Sequence, residues 1–120
     1  MSGIGWIAIA LVGGAAAGAR YLCDSTIVRL AGTDFPIGIL VVNLVAALAL
    51  GAVAGSGLQG EGLTIVAGGA IGSFSTFSTW MLDTHLLRLG RGADLAWLNV
   101  VVSLIAGLGA FAVGHQIITR

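Results

Sequence analysis

The chain has 120 residues, enough for one domain of modest size. Only 8% of them are charged and 58% are hydrophobic, with a mean hydropathy of +1.06, which excludes an ordinary soluble domain. The five basic residues, all arginines, are balanced by five acids, which excludes the basic surface that nucleic acid requires.

Four apolar stretches follow in chain order, at about 4–22, 36–55, 63–87 and 93–118. Each has roughly the 20 residues needed to cross a hydrocarbon core of about 30 Å. No Lys or Arg precedes Ile4 and further apolar segments follow, so the first stretch reads as an uncleaved span rather than a signal peptide. It carries Arg20 near its end. A single cysteine, Cys23, rules out an internal disulfide framework and reads as a small apolar residue. The first connection is expected to hold Asp24, Arg29 and Asp34. Pro36 opens the second span, where its missing N–H costs nothing, and Asn43 lies about a third of the way in. Glu61 falls in the second connection, and Arg88, Arg91 and Asp94 in the third. The fourth span contains Asn99 and Ser103 in its first half and His115 and Gln116 near its far end.

The apolar runs are continuous rather than alternating, which favours helices over a β-barrel. The expected fold is an all-α membrane protein with one four-helix transmembrane domain over 1–120, successive helices antiparallel. Gly14–Gly18, Gly51–Gly55 and Gly68–Gly72 are each spaced by four, a pattern that lets membrane helices approach closely. Trp6 and Trp97 read as interfacial anchors. Arg29, Arg88 and Arg91 share the side of the first and third connections, which the positive-inside rule assigns to the cytoplasm.

Polar groups at membrane depth face protein, water or substrate. The third span holds a dense run, Gly72-Ser73-Phe74-Ser75-Thr76-Phe77-Ser78-Thr79-Trp80, preceded by Gly68 and Gly69, with Asp83 beyond it. Five hydroxyl residues among nine positions make a poor continuous helix, because hydroxyls bond to carbonyls and glycine eases departures from helical geometry. A break at mid-membrane is tolerated only inside protein or along a cavity, and freed carbonyls there suit a cation. Asn amide and Ser or Thr hydroxyl groups donate hydrogen bonds, and aromatic rings present a positive edge. Phe77 and Trp80, three apart, share a helix face with the hydroxyl run. Such a neutral lining favours a small anion without trapping it.

Three landmarks, in order, carry a resemblance over essentially the whole length. They are Gly13-Gly14 through Gly18-Ala19-Arg20-Tyr21, Pro36-Ile37-Gly38-Ile39-Leu40-Val41-Val42-Asn43, and the run from Gly72 to Trp80. On these the sequence resembles the Fluc (CrcB-type) fluoride channels. The resemblance implies an antiparallel dual-topology dimer in the cell's inner (plasma) membrane, with the third helix broken mid-membrane and two narrow fluoride pores at the subunit interface. It implies that Asn43 and Phe77 contact fluoride, that Trp80 stands where the family has a second pore phenylalanine, and that Ser78 and Ser103 line a polar track. Arg20 would attract anions at a vestibule. A structural sodium ion would be held by the backbone carbonyls of Gly72 and Ser75 from both subunits. Ser75-Thr76 stands for the family's Thr-Thr, and Asp83 for its usual glutamate. The partner is a second copy of the chain or a paralogue of opposite orientation, and passive fluoride efflux is the implied task.

Two other classes compete. A proton-coupled multidrug antiporter has four spans of similar length but needs a membrane-embedded carboxylate, which the first span is expected to lack because Asp24 falls past its end. A non-transporting assembly subunit would use the glycine faces but leave the polar run without a purpose. No base is paired with Cys23 or His115, so no enzyme is read here.

Overall fold

The first helix ends at caps rather than where hydropathy falls. The computed structural model describes residues 1–33 and 35–120, so Asp34 lies outside the described residues. Helix α1 (Gly3–Ala31) starts behind Ser2, whose Oγ accepts the Gly5 N–H at 3.0 Å as an N-cap. It continues well past Leu22, so Asp24 and Arg29 lie within the helix and not in a connection. Hydropathy drops after Leu22, but the chain from Tyr21 to Ala31 contains neither proline nor glycine to stop a helix. The stop comes at Gly32, whose φ of 60° lets its N–H return to the Val28 carbonyl.

Helix α2 (Ile37–Gly55) opens on Pro36. The third apolar run is composite. A short α3 (Gly60–Leu63) passes directly into a π-helix (Thr64–Ile71) and then into α4 (Gly72–Phe74). Helical geometry stops at Ser75, which is extended at φ −77° and ψ 164°, and resumes in α5 (Ser78–Arg91). Gly92, at φ 99°, turns the chain into α6 (Ala93–Thr119). Four runs are long and apolar enough to cross a membrane, Gly3–Ala31, Ile37–Gly55, Gly60–Arg91 and Ala93–Thr119. Among the described residues there is no strand, so the four-span all-α reading holds.

Helices α2 and α6 run parallel in tight contact. Gly51 faces the Phe111 carbonyl and Gly114 faces the Leu48 carbonyl, and a Cβ at either glycine would collide with backbone. Gly55 continues the seam against His115 and Thr119. Gly14, Gly18 and Gly68 instead face open space, so only the Gly51–Gly55 pair brings backbones together within the chain. Helix α1 lies along the third run, with Gly69 against Ile9 and Gly13 against Ser73. Ile39, Val42 and Ala46 of α2, Leu87 of α5 and Ala96 of α6 form the small core. The outside is apolar, with Ile4 81%, Leu30 79% and Leu108 73% exposed, a surface that lipid rather than water would cover.

Candidate functional site at the helix interruption

An α-helix bonds each N–H to the carbonyl four residues earlier. Ser75 still obeys this rule, its N–H reaching the Ile71 carbonyl at 3.0 Å. The next donor does not. The Thr76 N–H goes to Asn43 Oδ1 at 2.9 Å, while the Thr76 carbonyl accepts Asn43 Nδ2 at 3.0 Å. A primary amide offers one acceptor and two donors, so Asn43 satisfies both backbone groups of Thr76 and keeps one N–H in reserve. Thr76 Oγ1 in turn accepts the Thr79 N–H at 3.2 Å, capping α5 from just before its first turn. From there the helical ladder restarts, with the Met81 N–H on the Phe77 carbonyl at 2.9 Å.

These diversions have a consequence for two carbonyls. Gly72 would ordinarily receive the Thr76 N–H, and Ser75 the Thr79 N–H, and both donors are committed to side-chain oxygens. The Gly72 and Ser75 carbonyls, named for a cation site, are therefore without their helical donors among the described residues. Neutral carbonyls at an unwound helix suit an alkali cation such as sodium, so the donor set fits that group.

Asn43, Ser75, Thr76, Phe77 and Trp80 line one recess of about 320 Å³, completed by apolar side chains of α2 and by Ile71 of the π-helix. Phe77 and Trp80 meet edge to face, centroids 5.7 Å apart and planes at 80°. Phe77 is 70% exposed, so its ring lies on the outside of the single chain. Among the described residues the buried Trp80 Nε1 has no hydrogen-bond partner.

The remaining predicted residues lie outside this recess. Ser78 is exposed in the first turn of α5, and Arg20 is half-buried on α1. Ser103 Oγ makes a long 3.5 Å bond to Asn99 Oδ1. Asn99, only 1% exposed, donates to Thr84 Oγ1 at 2.7 Å, and Thr84 donates to the Trp80 carbonyl at 2.7 Å. Ser103 thus reaches the recess only through this chain of bonds. Asp83 lines a separate recess of about 490 Å³ together with Arg91. Sequence reasoning missed the structural parts of Thr76 and Thr84. A threonine three residues before Thr79 was a capping signal, and Thr84 carried none. Asn99→Leu, close in volume, is expected to cost about 2 kcal/mol by removing a buried interhelical bond and leaving the Thr84 oxygen without its donor. Thermal unfolding in detergent measures it.

Four apolar helices gathered around one polar interruption define a small multi-pass membrane protein. The family described as CrcB-like protein, Camphor Resistance (CrcB), matches residues 7–115, and the chain belongs to it. It is 38% identical over 112 residues to "Fluoride-specific ion channel FluC 2" of Mycolicibacterium paratuberculosis, covering 93% of this chain and 92% of that one. A relative with the same description in Symbiobacterium thermophilum is 40% identical over 117 residues, covering 93% and 95%. "Fluoride-specific ion channel FluC 1" of Rubrobacter xylanophilus is 39% identical over 107 residues, covering 85% and 86%. Fold and kinship together make this a multi-pass protein of the cell membrane.

Proposed function

We propose that the chain is a fluoride channel that lets the ion leave the cell passively. The observation that carries this is the recess in which the Asn43 amide, the Thr76 backbone and the Phe77–Trp80 edge pair converge, in a chain whose relatives are described as fluoride-specific channels. Fluoride is small and strongly hydrated, and a pore must replace its water with donors without holding it fast. The free N–H of Asn43 and the edge of Phe77 provide two weak donors, with Trp80 adding a second aromatic edge. Ser78 and Ser103 continue the track, and Arg20 draws anions toward its mouth.

The working unit in this reading is an antiparallel dimer with two pores. A second copy would cover the exposed Phe77 ring and the open glycines Gly14, Gly18 and Gly68. The interruption, midway along Gly60–Arg91, would then sit near the bilayer midplane, enclosed by protein. Gly72 and Ser75 of both chains would hold a structural sodium ion there. When bound, that ion supplies positive charge that ties the two interruptions together.

The antiporter reading gains one fact and still falls short. Asp24 does lie inside α1, against Gly38, with its Oδ1 buried and unpaired among the described residues. Its place is about 32 Å along the helix from Gly3 at 1.5 Å per residue, beyond the depth where an exchanging carboxylate is needed. The test is fluoride release from liposomes containing only this purified chain, followed with a fluoride electrode and with chloride as control. Fast fluoride release with little chloride is expected. Well-folded protein that releases no fluoride overturns the homodimeric channel, and recovery on adding a paralogue would assign the second position to that paralogue.

A further inference from the structure

We infer that Thr76 is a positioning residue for the cation, holding open the Gly72 and Ser75 carbonyls through two diverted hydrogen bonds. This inference rests on the sodium reading above and adds the residue that makes the site available.

In an uninterrupted helix both carbonyls would be consumed by the N–H groups of Thr76 and Thr79. Thr76 prevents this twice. Its own N–H is drawn away to Asn43 Oδ1 at 2.9 Å, and its Oγ1 takes the Thr79 N–H at 3.2 Å. The Asn43 amide fixes the Thr76 peptide from the other side as well, through Nδ2 on the Thr76 carbonyl at 3.0 Å. The Thr76 N–H is therefore kept from its helical acceptor, the Gly72 carbonyl. Ser75, extended at ψ 164°, is the residue whose backbone absorbs the change of direction.

Removing the Thr76 hydroxyl leaves the Thr79 N–H without its acceptor at the first turn of α5. The Ser75 carbonyl, four residues earlier, is the helical partner it would then take, by tightening the chain onto the helix axis. A carbonyl so engaged is a poorer ligand. Cation binding then has to break a hydrogen bond first, in each of the two subunits. Valine is the sharpest probe, because it keeps the branched shape of threonine and deletes only the hydrogen-bonding group. Serine keeps the hydroxyl and loses only the methyl.

The experiment uses the full chain in detergent and reads the sodium concentration that gives half of the maximal protection against thermal unfolding. N-methylglucamine chloride holds the ionic strength constant. Thr76→Val is expected to raise that midpoint roughly thirtyfold, the effect of about one net hydrogen bond competing at the site in each subunit. Thr76→Ser is expected to stay within about twofold of the wild type. A purely structural role for Thr76 would lower the unfolding temperature equally at every sodium concentration and leave the midpoint in place. Should the valine protein not fold, Thr76→Ala makes the same comparison without the branched side chain. A wild-type midpoint in these variants overturns the inference and leaves the sodium reading standing. A wild-type protein that sodium and potassium protect equally overturns the sodium reading, and this inference with it.

Discussion

Asn43→Leu is expected to abolish fluoride release and to lower stability by about 2–4 kcal/mol, since two part-buried backbone groups lose their partners together. Leucine is close in volume, so the loss reports hydrogen bonding and not a cavity. The stability effect follows from the clamp on Thr76, with its paired bonds of 2.9 and 3.0 Å. The flux effect follows from the second Nδ2 hydrogen, which only asparagine presents to the recess. Phe77→Leu separates the two. The Phe77 ring is 70% exposed, so its loss is expected to cost the single chain little stability while flux falls. Asn43→Asp gives a third pattern, because a carboxylate still accepts the Thr76 N–H but faces the Thr76 carbonyl and any passing anion with negative charge. It should keep part of the stability and none of the flux. Unfolding in detergent and fluoride release from liposomes read the two quantities on the same preparations. Wild-type stability in Asn43→Leu would remove the clamp from the argument, and wild-type flux would remove the donor.

What the sequence disclosed depended on whether the signal was local. The four spans were legible because continuous apolar runs and collected charges need no partner to be read. The end of α1 was not, because hydropathy reports contact with lipid whereas a helix ends at a cap, here Gly32. The interruption near Ser75 could be expected from hydroxyls crowding behind glycines. Its cause could not, because the acceptor for Thr76 comes from Asn43, 33 residues earlier on another helix. The same holds for Asn99, visible as a polar residue in an apolar span while its partner Thr84 was not. Spacing by four announced three glycine pairs without saying which faces they occupy. Only the pair on α2 meets another helix inside the chain.

That pair sets up the other large effect. Gly114→Val is expected to yield little folded protein, because its Cβ would collide with the Leu48 carbonyl, and backbone cannot swing aside as a flexible side chain can. The α2–α6 seam would have to open along its length, with Gly51 against Phe111 losing its fit at the same time. Overpacking of this kind costs about 1–3 kcal/mol where a core can yield, and more where backbone meets backbone. The damage also reaches the recess. Helix α2 carries Asn43, and α6 carries Asn99, which is bonded through Thr84 to the Trp80 carbonyl. Separating the two helices therefore disturbs the clamp and the aromatic pair together. Gly114→Ala is the milder probe because it adds the Cβ alone, and it is expected to lose more than about 3 kcal/mol and most of the flux. Gly18→Ala is its counterpart, since a Cβ there enters open space within the single chain. It should leave the monomer's stability unchanged, and any loss of flux would then be a loss of association with the second copy. Unfolding measured beside cross-linking across the dimer distinguishes the two. Equal stability in Gly114→Ala and the wild type would mean that the glycine seam does not set the spacing of α2 and α6.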